Sequence, residues 1–300
     1  MKKSKSQLLI LLPIGAIFSF LFLNFSSPNP VTSETYSVDK DFGSFWYQGK
    51  AEVSVYDLSQ VRYGEERKGT ASLIFVTEDF NTKKQVKSDA PTSKETTPVL
   101  KLNQVKKFNT GIYPYSLMTS TFSPMGKIAI KSTSSIQEWC GHTYLQLNKK
   151  EGKDYQVTGF SYFENEGDIN QITSVDYLED DLWNRIRISP ASLPQGTCTI
   201  LPAGFYLRLK HKEIKGYQAS TKLTNKGDQQ VYSITYPALS RELSITFSSI
   251  APYAIQSWTE SYPEAGKTMT TTATLKKREW MAYWSKNSSQ FDGLRTEFGL

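Results

Sequence analysis

Apolar and polar residues alternate with a period of two along most of this chain. In AEVSVYDL, Ala51, Val53 and Val55 share one side, and in RELSITFSSI the same is true of Leu243, Ile245 and Phe247. Successive side chains of an extended chain point to opposite faces, so the alternation predicts strands with one covered face. YQVTGFSYF at 155–163 and VYSITYP at 231–237 add the branched and aromatic residues that suit a pleated surface. The threonines of TMTTTATLKK at 268–277 disfavour a helix there. Turn-forming breaks recur between these runs: NTG at 109–111, NKKEGKD at 148–154, TNKGDQQ at 224–230 and PEAGK at 263–267. Strands at this spacing predict an antiparallel meander, with no βαβ rhythm, no fixed-period repeat and no heptad run.

Two stretches interrupt the meander. FNTKKQVKSDAPTSKETTP, at 80–98, has almost no apolar content and predicts a long exposed loop. YLEDDLWNRIRISPASLP has acids where a first helical turn would lie, an apolar side of Leu182, Trp183 and Ile186, then Arg185 and Arg187, and Pro190 as a stop. It predicts a helix over 179–188. One helix among many strands must cover something, such as the open side of the sheet. The expected fold is therefore all-β: one domain over 34–300, built as a long antiparallel sheet curled into an open half-barrel, with one short helix packed in or across it.

The start of the chain bears on where this fold works. MKKSKSQ carries three lysines and no acid, and Leu8 to Phe25 then runs apolar. A basic head before an apolar run is the pattern of an export signal. At about 1.5 Å per residue the run reaches roughly 27 Å, close to a bilayer core. Residues 1–33 thus read as a removable signal, with Val31 and Ser33 permitting cleavage before Glu34, or as a retained anchor that crosses the membrane at 8–25. Either way the body is expected to be exported and periplasmic. Of 35 basic residues three sit in that head, and 29 acids oppose the rest. Such a near balance lacks the clustered basic face of a nucleic-acid binder; KHK at 210–212 and KKR at 276–278 read as solvated strand ends.

Candidate chemistry centres on EWCGHTYLQL. On an extended strand Glu138, Cys140 and His142 share a face, as a metal site or a cysteine nucleophile would need. The chain has two cysteines, Cys140 and Cys198, and export to an oxidising compartment predicts that they form a disulfide. The rivals are zinc held by Cys140, His142, Cys198 and His211, although C-x-H is tighter than the usual ligand spacing, and two free thiols. No G-x-S-x-G, P-loop, G-x-G-x-x-G or H-E-x-x-H motif occurs, so no catalytic residue, metal or cofactor is assigned. ENEGD at 164–168 reads as a solvated turn with a weaker calcium reading, and EDD at 179–181 as acids at the positive end of a helix. Aromatic residues make up 13% of the chain and gather at FWYQG, TGIYPYS, SWTESYP and REWMAYW. They read either as sheet packing or as the lining of a concave groove, with Trp46, Tyr113, Tyr115, Trp183 and Trp258 as groove candidates.

Several of these segments together carry a resemblance. FWYQGKAEVSVYDLSQVRYGE, GIYPYSLMTSTF, EWCGHTYLQL, DDLWNRIR and the tail ending FDGLRTEFGL resemble uncharacterised exported bacterial proteins that bear the label septum formation inhibitor Maf. True Maf proteins are α/β nucleotide pyrophosphatases with a basic S-x-S-P-R-R type motif. SSPNP at 26–30 lacks those arginines, so no Maf active-site residue carries over. More distantly, Trp46, Tyr47, Gly49 and Lys50 match an early WYxGK strand, and Asp181, Leu182 and Arg187 match a DxLxxxxR helix only loosely. That pair resembles periplasmic half-barrel proteins of unknown function and, further off, lipoprotein carriers. The resemblance implies a half-barrel able to enclose something apolar. The expected function is a non-enzymatic envelope protein that binds a lipid, a glycan or a partner protein. An exported carboxylate-dependent hydrolase and a purely structural envelope protein are the alternatives.

Overall fold

The structure is a computed structural model that describes residues 35–300. The leader at 1–33, with its apolar span at 8–25, lies outside the described residues. Among those residues, no helix is long and apolar enough to cross a membrane.

The alternation is realised as sixteen strands in one sheet. After helix α1 (Phe42–Trp46) the chain lays down β1 (Ala51–Arg62), β2 (Glu65–Asn81), β3 (Val86–Lys87), β4 (Thr96–Thr110) and β5 (Tyr113–Pro124). It continues with β6 (Lys131–Glu138), β7 (Gly141–Lys149), β8 (Asp154–Ser161), β9 (Ile169–Ser174) and β10 (Tyr177–Leu178). Helix α2 (Glu179–Ile188), with the predicted bounds, leads to β11 (Gly196–Leu201) and helix α3 (Gly204–Leu209). The return is β12 (Tyr217–Lys226), β13 (Gln229–Tyr236), β14 (Arg241–Ser248), β15 (Ile255–Glu264) and β16 (Lys267–Met281), closed by helix α4 (Gly293–Phe298). The order across the sheet is β10-β11-β12-β13-β14-β15-β16-β1-β2-β4-β5-β6-β7-β8-β9, with β3 beside β2. Neighbours pair antiparallel except β10 and β11, a parallel pair joined through α2. This one βαβ step escapes the sequence pattern because a two-residue strand is too short to show a period.

The sheet is curled but not closed into a barrel. β9 and β10 are its edges, and the chain itself steps from one to the other: Val175 N–H bonds the Lys153 carbonyl at 3.0 Å, and Asp176 N–H bonds the Thr199 carbonyl at 2.9 Å. That crossing covers edge groups that would otherwise invite another strand. Gly216 permits the close approach, since a Cβ there would stand 2.6 Å from Thr199 Cγ2 and 2.7 Å from Val175 Cγ1.

In a meander, every second turn falls at the same end. The turns at 63–64, 111–112, 139–140 and 265–266 and the loops 162–168 and 210–216 form one end, called the rim below. The chain enters at the opposite end, where Thr35 bridges Lys127, Tyr36 N–H bonds the Gly126 carbonyl, and α1 buries Phe42 and Trp46. The WYxGK segment is therefore not a strand; Trp46 ends α1 and β1 begins at Ala51. The 80–98 stretch gives its ends to β2 and β4, leaving a mostly exposed excursion between them. Gln85 ties that excursion to the far arm, donating to the Lys149 carbonyl at 2.9 Å and accepting from Asn148 Nδ2 at 2.7 Å.

The concave face is filled. All ten residues of α2 and all six of α3 are buried. The helix ends where Ser189 turns extended ahead of Pro190, which disfavours helical geometry in the residue before it. β5 and β6 make room with short buried hydroxyl side chains, Thr119, Thr121, Ser123, Ser132 and Ser134. α3 approaches so closely that a Cβ on Gly204 would lie 2.1 Å from Ser134 Oγ. On the outer side, Val53 and Val55 pack with Phe298 of α4, so β1 is covered on both faces.

Candidate functional site

The hollow is the first place to seek a site, and it holds ionised groups as well as apolar ones. Glu52 of β1 and Arg187 of α2 form a bidentate pair, both bonds 2.7 Å, with neither side chain exposed. Arg241 of β14 spans Glu179 and Glu260, donating to Glu179 at 2.6 and 2.7 Å and to Glu260 at 2.8 Å. Ser123 Oγ donates to Asp181 at 2.5 Å, and Asn184 donates to the Leu100 and Thr121 carbonyls. Burial, reinforced by the neighbouring Glu179 charge, pushes the Asp180 carboxyl up to about 7, although Gly204 N–H and Ser132 donate to it. Burial likewise pushes the Lys106 ammonium below its usual range, against the pull of Glu260 and Glu179. The gap beside Lys106, Glu179, Arg241 and Glu260 is about 20 Å³, room for about one water.

This filling corrects the groove expectation. Trp46, Tyr115, Trp183 and Trp258 are all buried in the core. Trp258 packs edge-on to Trp183 with centroids 5.3 Å apart and against Tyr56 at 4.8 Å, so these rings grip α2 and line no open groove. Tyr113 alone of the five is only half-buried, and it stands at the rim.

EWCGHTYLQL is not one strand but a hairpin. Glu138 pairs with Gly141 across a two-residue turn of Trp139 and Cys140, and Glu138 accepts the Cys140 N–H at 2.8 Å. The turn breaks the shared face on which Glu138, Cys140 and His142 would have lined up. The predicted disulfide is absent: both cysteines are free, Cys140 exposed and Cys198 buried. Cys140 sits in a solvent-facing turn, whereas the sulfur of Cys198 faces the packed side of β11, so the two never meet. Neither thiol is poised as a nucleophile. The Glu138 carboxylate pushes the Cys140 thiol up, and burial pushes that of Cys198 up to about 11. Among the described residues no cluster of His, Cys, Asp and Glu has the makings of a metal site.

The rim nevertheless brings both histidines to one place. A narrow cleft there is lined by Arg62, Tyr115, Glu138, His142, Phe163, Arg208 and His211. Arg208 and His211 also wall an adjoining cavity of about 310 Å³ with Asn165, Glu166, Lys212 and Ile214. Glu166, from the ENEGD turn, folds inward to pair with Arg208 and accepts from His211 Nδ1 at 2.7 Å and Ser161 at 2.5 Å. Burial pushes its carboxyl up, but these donors outweigh it and hold the group below the usual range. Arg62 donates to the Leu209 carbonyl at 2.5 Å and to the Tyr63 and Tyr115 hydroxyls at 3.3 and 3.2 Å, with its guanidinium 4.3 Å above the Tyr63 ring. Aromatic rings lead from the core outward: Phe108 stacks on Tyr115 at 4.9 Å, Tyr115 lies 5.9 Å from Tyr113, and Tyr113 6.4 Å from Trp139. Among the described residues, four of the six strongly exposed aromatic rings, Tyr63, Trp139, Phe160 and Tyr162, lie in or beside rim turns, together with Ile112.

Fold and site thus define a curled antiparallel sheet with a helix-filled hollow and an aromatic, charge-bearing rim. Among solved structures the chain is similar to the crystal structure of a beta-barrel-like protein of domain of unknown function DUF1849 from Brucella abortus, at 10% identity over 77% of this chain and 98% of that one, with a TM-score of 0.44. No family model matches the chain, and no curated protein does. The Maf label has no support: the Maf fold is α/β, and this sheet is antiparallel but for one two-residue pair.

Proposed function

We propose that this is a non-enzymatic protein of the cell envelope, exported by its N-terminal segment, that works by binding through the rim. The observation that carries the reading is the contrast in filling. The hollow leaves a gap of about 20 Å³, whereas the rim exposes Trp139 at 67% and Ile112 at 81%, and Arg208 and His211 at the same end wall a cavity of about 310 Å³. Large apolar side chains held in water at one end of a rigid scaffold are the usual mark of a contact surface. The hydrolase alternative draws no support from the hollow, where Glu179 and Glu260 are buried in ion pairs. Residues 8–25, if retained, would hold the protein to the membrane; if removed, the domain would be free in the periplasm.

The test is photocrosslinking in cells. A photoreactive side chain at Ile112 or Trp139 is expected to give specific adducts. The same probe at Met118, on a strand face, or at Ile250, at the opposite end, is expected to give none. Equal labelling from all four positions, or none from the rim, would contradict the reading.

A further inference from the structure

We propose that the end opposite the rim holds a binding site of its own, a polar cavity whose ligand is a neutral saccharide of one or two pyranose rings. The inference goes beyond the reading of the rim and does not depend on it.

The cavity has about 450 Å³ of space, inside the roughly 300–1,000 Å³ range of small-ligand sites. Four segments meet around it: the chain just ahead of α1, the 189–195 stretch after α2, the β12–β13 hairpin and the loop between β14 and β15. Ser189, Gln195 and Ser249 line it, and their hydroxyls and carboxamide have no hydrogen-bond partner among the described residues. Ser189 weighs most, because it is only 7% exposed. A hydroxyl withdrawn from bulk water and left without a partner costs stability, so its place in this wall points to a ligand that uses it. Across the hairpin, Gln230 Nε2 donates to Asn225 Oδ1 at 2.7 Å. That bond leaves the Asn225 amide nitrogen to donate and Gln230 Oε1 to accept, which is the pairing that two adjacent sugar hydroxyls require.

Charge decides against most other ligands. Among the described residues, Asp39 is the one carboxylate in the lining, and no lysine, arginine or histidine stands there. Asp39 already accepts the Asp41 N–H at 2.9 Å and the Tyr253 hydroxyl at 2.5 Å. The charged residues of the flanking turns, Lys40, Asp41, Lys226 and Asp228, are exposed, stand outside the lining and come two of each sign. A phosphate or carboxylate would meet no cation here, and a cation would find its one carboxylate engaged. An extended peptide binds by adding to an open sheet edge, but β12 and β13 are paired on both sides. The aliphatic lining is confined to Pro190, Ala191 and Leu223, too little for a lipid chain.

Tyr253 supplies an aromatic ring against which a pyranose can lay its C–H groups. Its φ of +57°, which a tyrosine rarely adopts, is held by the bond to Asp39 and by its own N–H, which bonds the Ile250 carbonyl at 2.9 Å. Strain kept at a single loop residue is characteristic of positions that face a ligand.

Saturation-transfer NMR on the full-length protein, in a detergent without a sugar headgroup, would compare four probes: cellobiose, N,N′-diacetylchitobiose, digalacturonate and the blocked neutral peptide acetyl-trialanine amide. The expected result is binding of at least one of the two neutral disaccharides, with digalacturonate and the peptide weaker by about fivefold or more. Gln195→Ala and Asn225→Ala, both at exposed positions, should each weaken binding by about threefold to tenfold at an unchanged melting temperature. Ser189→Ala should weaken it to a similar extent, also at an unchanged melting temperature, because the hydroxyl serves no contact within the fold. A serine with only a structural role would instead lower the melting temperature and leave binding alone. No binding of either neutral disaccharide, equal or tighter binding of digalacturonate or the peptide, or indifference of binding to all three substitutions would overturn the inference. Binding that Trp139→Ala abolishes and these substitutions spare would overturn it too, by putting the sugar at the rim. Crosslinking from Ile112 and Trp139 reports on the other end of the molecule, so the proposed function and this inference can fail separately. Ile250 is not part of the lining, so its silence as a crosslinking position is expected here as well.

Discussion

The hollow and the rim are made by the same strands, yet they put polar residues to opposite uses. In the hollow, Glu52, Glu179, Arg187 and Arg241 are withdrawn from water and locked in bidentate pairs on α2. Desolvating such charges costs several kcal/mol per ion, so these pairs do not by themselves make the protein stable. They do penalise every other placement of α2, because a shifted helix would leave four buried charges unmatched. At the rim, Arg62, His142 and His211 keep water access, and the large rings beside them are exposed. The difference teaches where to look for function in a curled sheet: a filled hollow acts as scaffold, which leaves the turns it holds in place as the surface on which to test for binding.

Breaking the locked pair should give the largest effect. Arg187→Met leaves Glu52 buried with the Ser54 hydroxyl at 3.2 Å and Arg278 at 3.9 Å, and stability should fall by about 3–5 kcal/mol in urea unfolding. Adding Glu52→Leu should recover much of that loss, since no unmatched charge then remains. Next comes pH. The native state holds the Asp180 proton more tightly than the unfolded chain does, with values of about 7 against 3.8. The stability this contributes is full below the unfolded value and is lost as pH rises from about 4 to about 7. Asp180→Asn should remove a slope worth roughly 2–4 kcal/mol across that window, read by denaturant titrations at its two ends. Gly204→Ala forces a Cβ against Ser134 and should cost about 1–3 kcal/mol, partly restored by Ser134→Gly. The rim should respond least. Trp139→Ala or Ile112→Ser should change stability by no more than about 0.5 kcal/mol. A maleimide should label Cys140 in the native protein and Cys198 only on unfolding.

How much of this could be read from the sequence differs in the same way between the two regions. The strands, the curl and the bounds of α2 follow from period-two patterning, an acidic first turn and a stopping proline. Burial of the acidic turn does not follow, because a half-exposed strand and one facing a charged helix show the same alternation. Glu52 and Ser54 in AEVSVY look like a solvent face, yet they point at Arg187, while Val53 and Val55 on the outer side are covered by α4. The groove candidates failed for the same reason: Trp183 and Trp258 are aromatic enough to line a hollow, and α2 occupies it. The rim does leave a signal in the sequence. Tyr63–Gly64, Gly111–Ile112 and Trp139 place large apolar residues at tight turns, and alternate turns of a meander must meet at one end. Export chemistry argued for a disulfide, but sequence carries no distance, and the fold sets Cys140 in an open turn and Cys198 in the packed wall.

Hydrogen exchange on the full-length protein tests the contrast most directly. The account predicts that the amides of α2 exchange only through global unfolding and that the turns at 63–64, 111–112 and 139–140 exchange fast. Fast exchange in α2, or rim turns protected as strongly as α2, would contradict it.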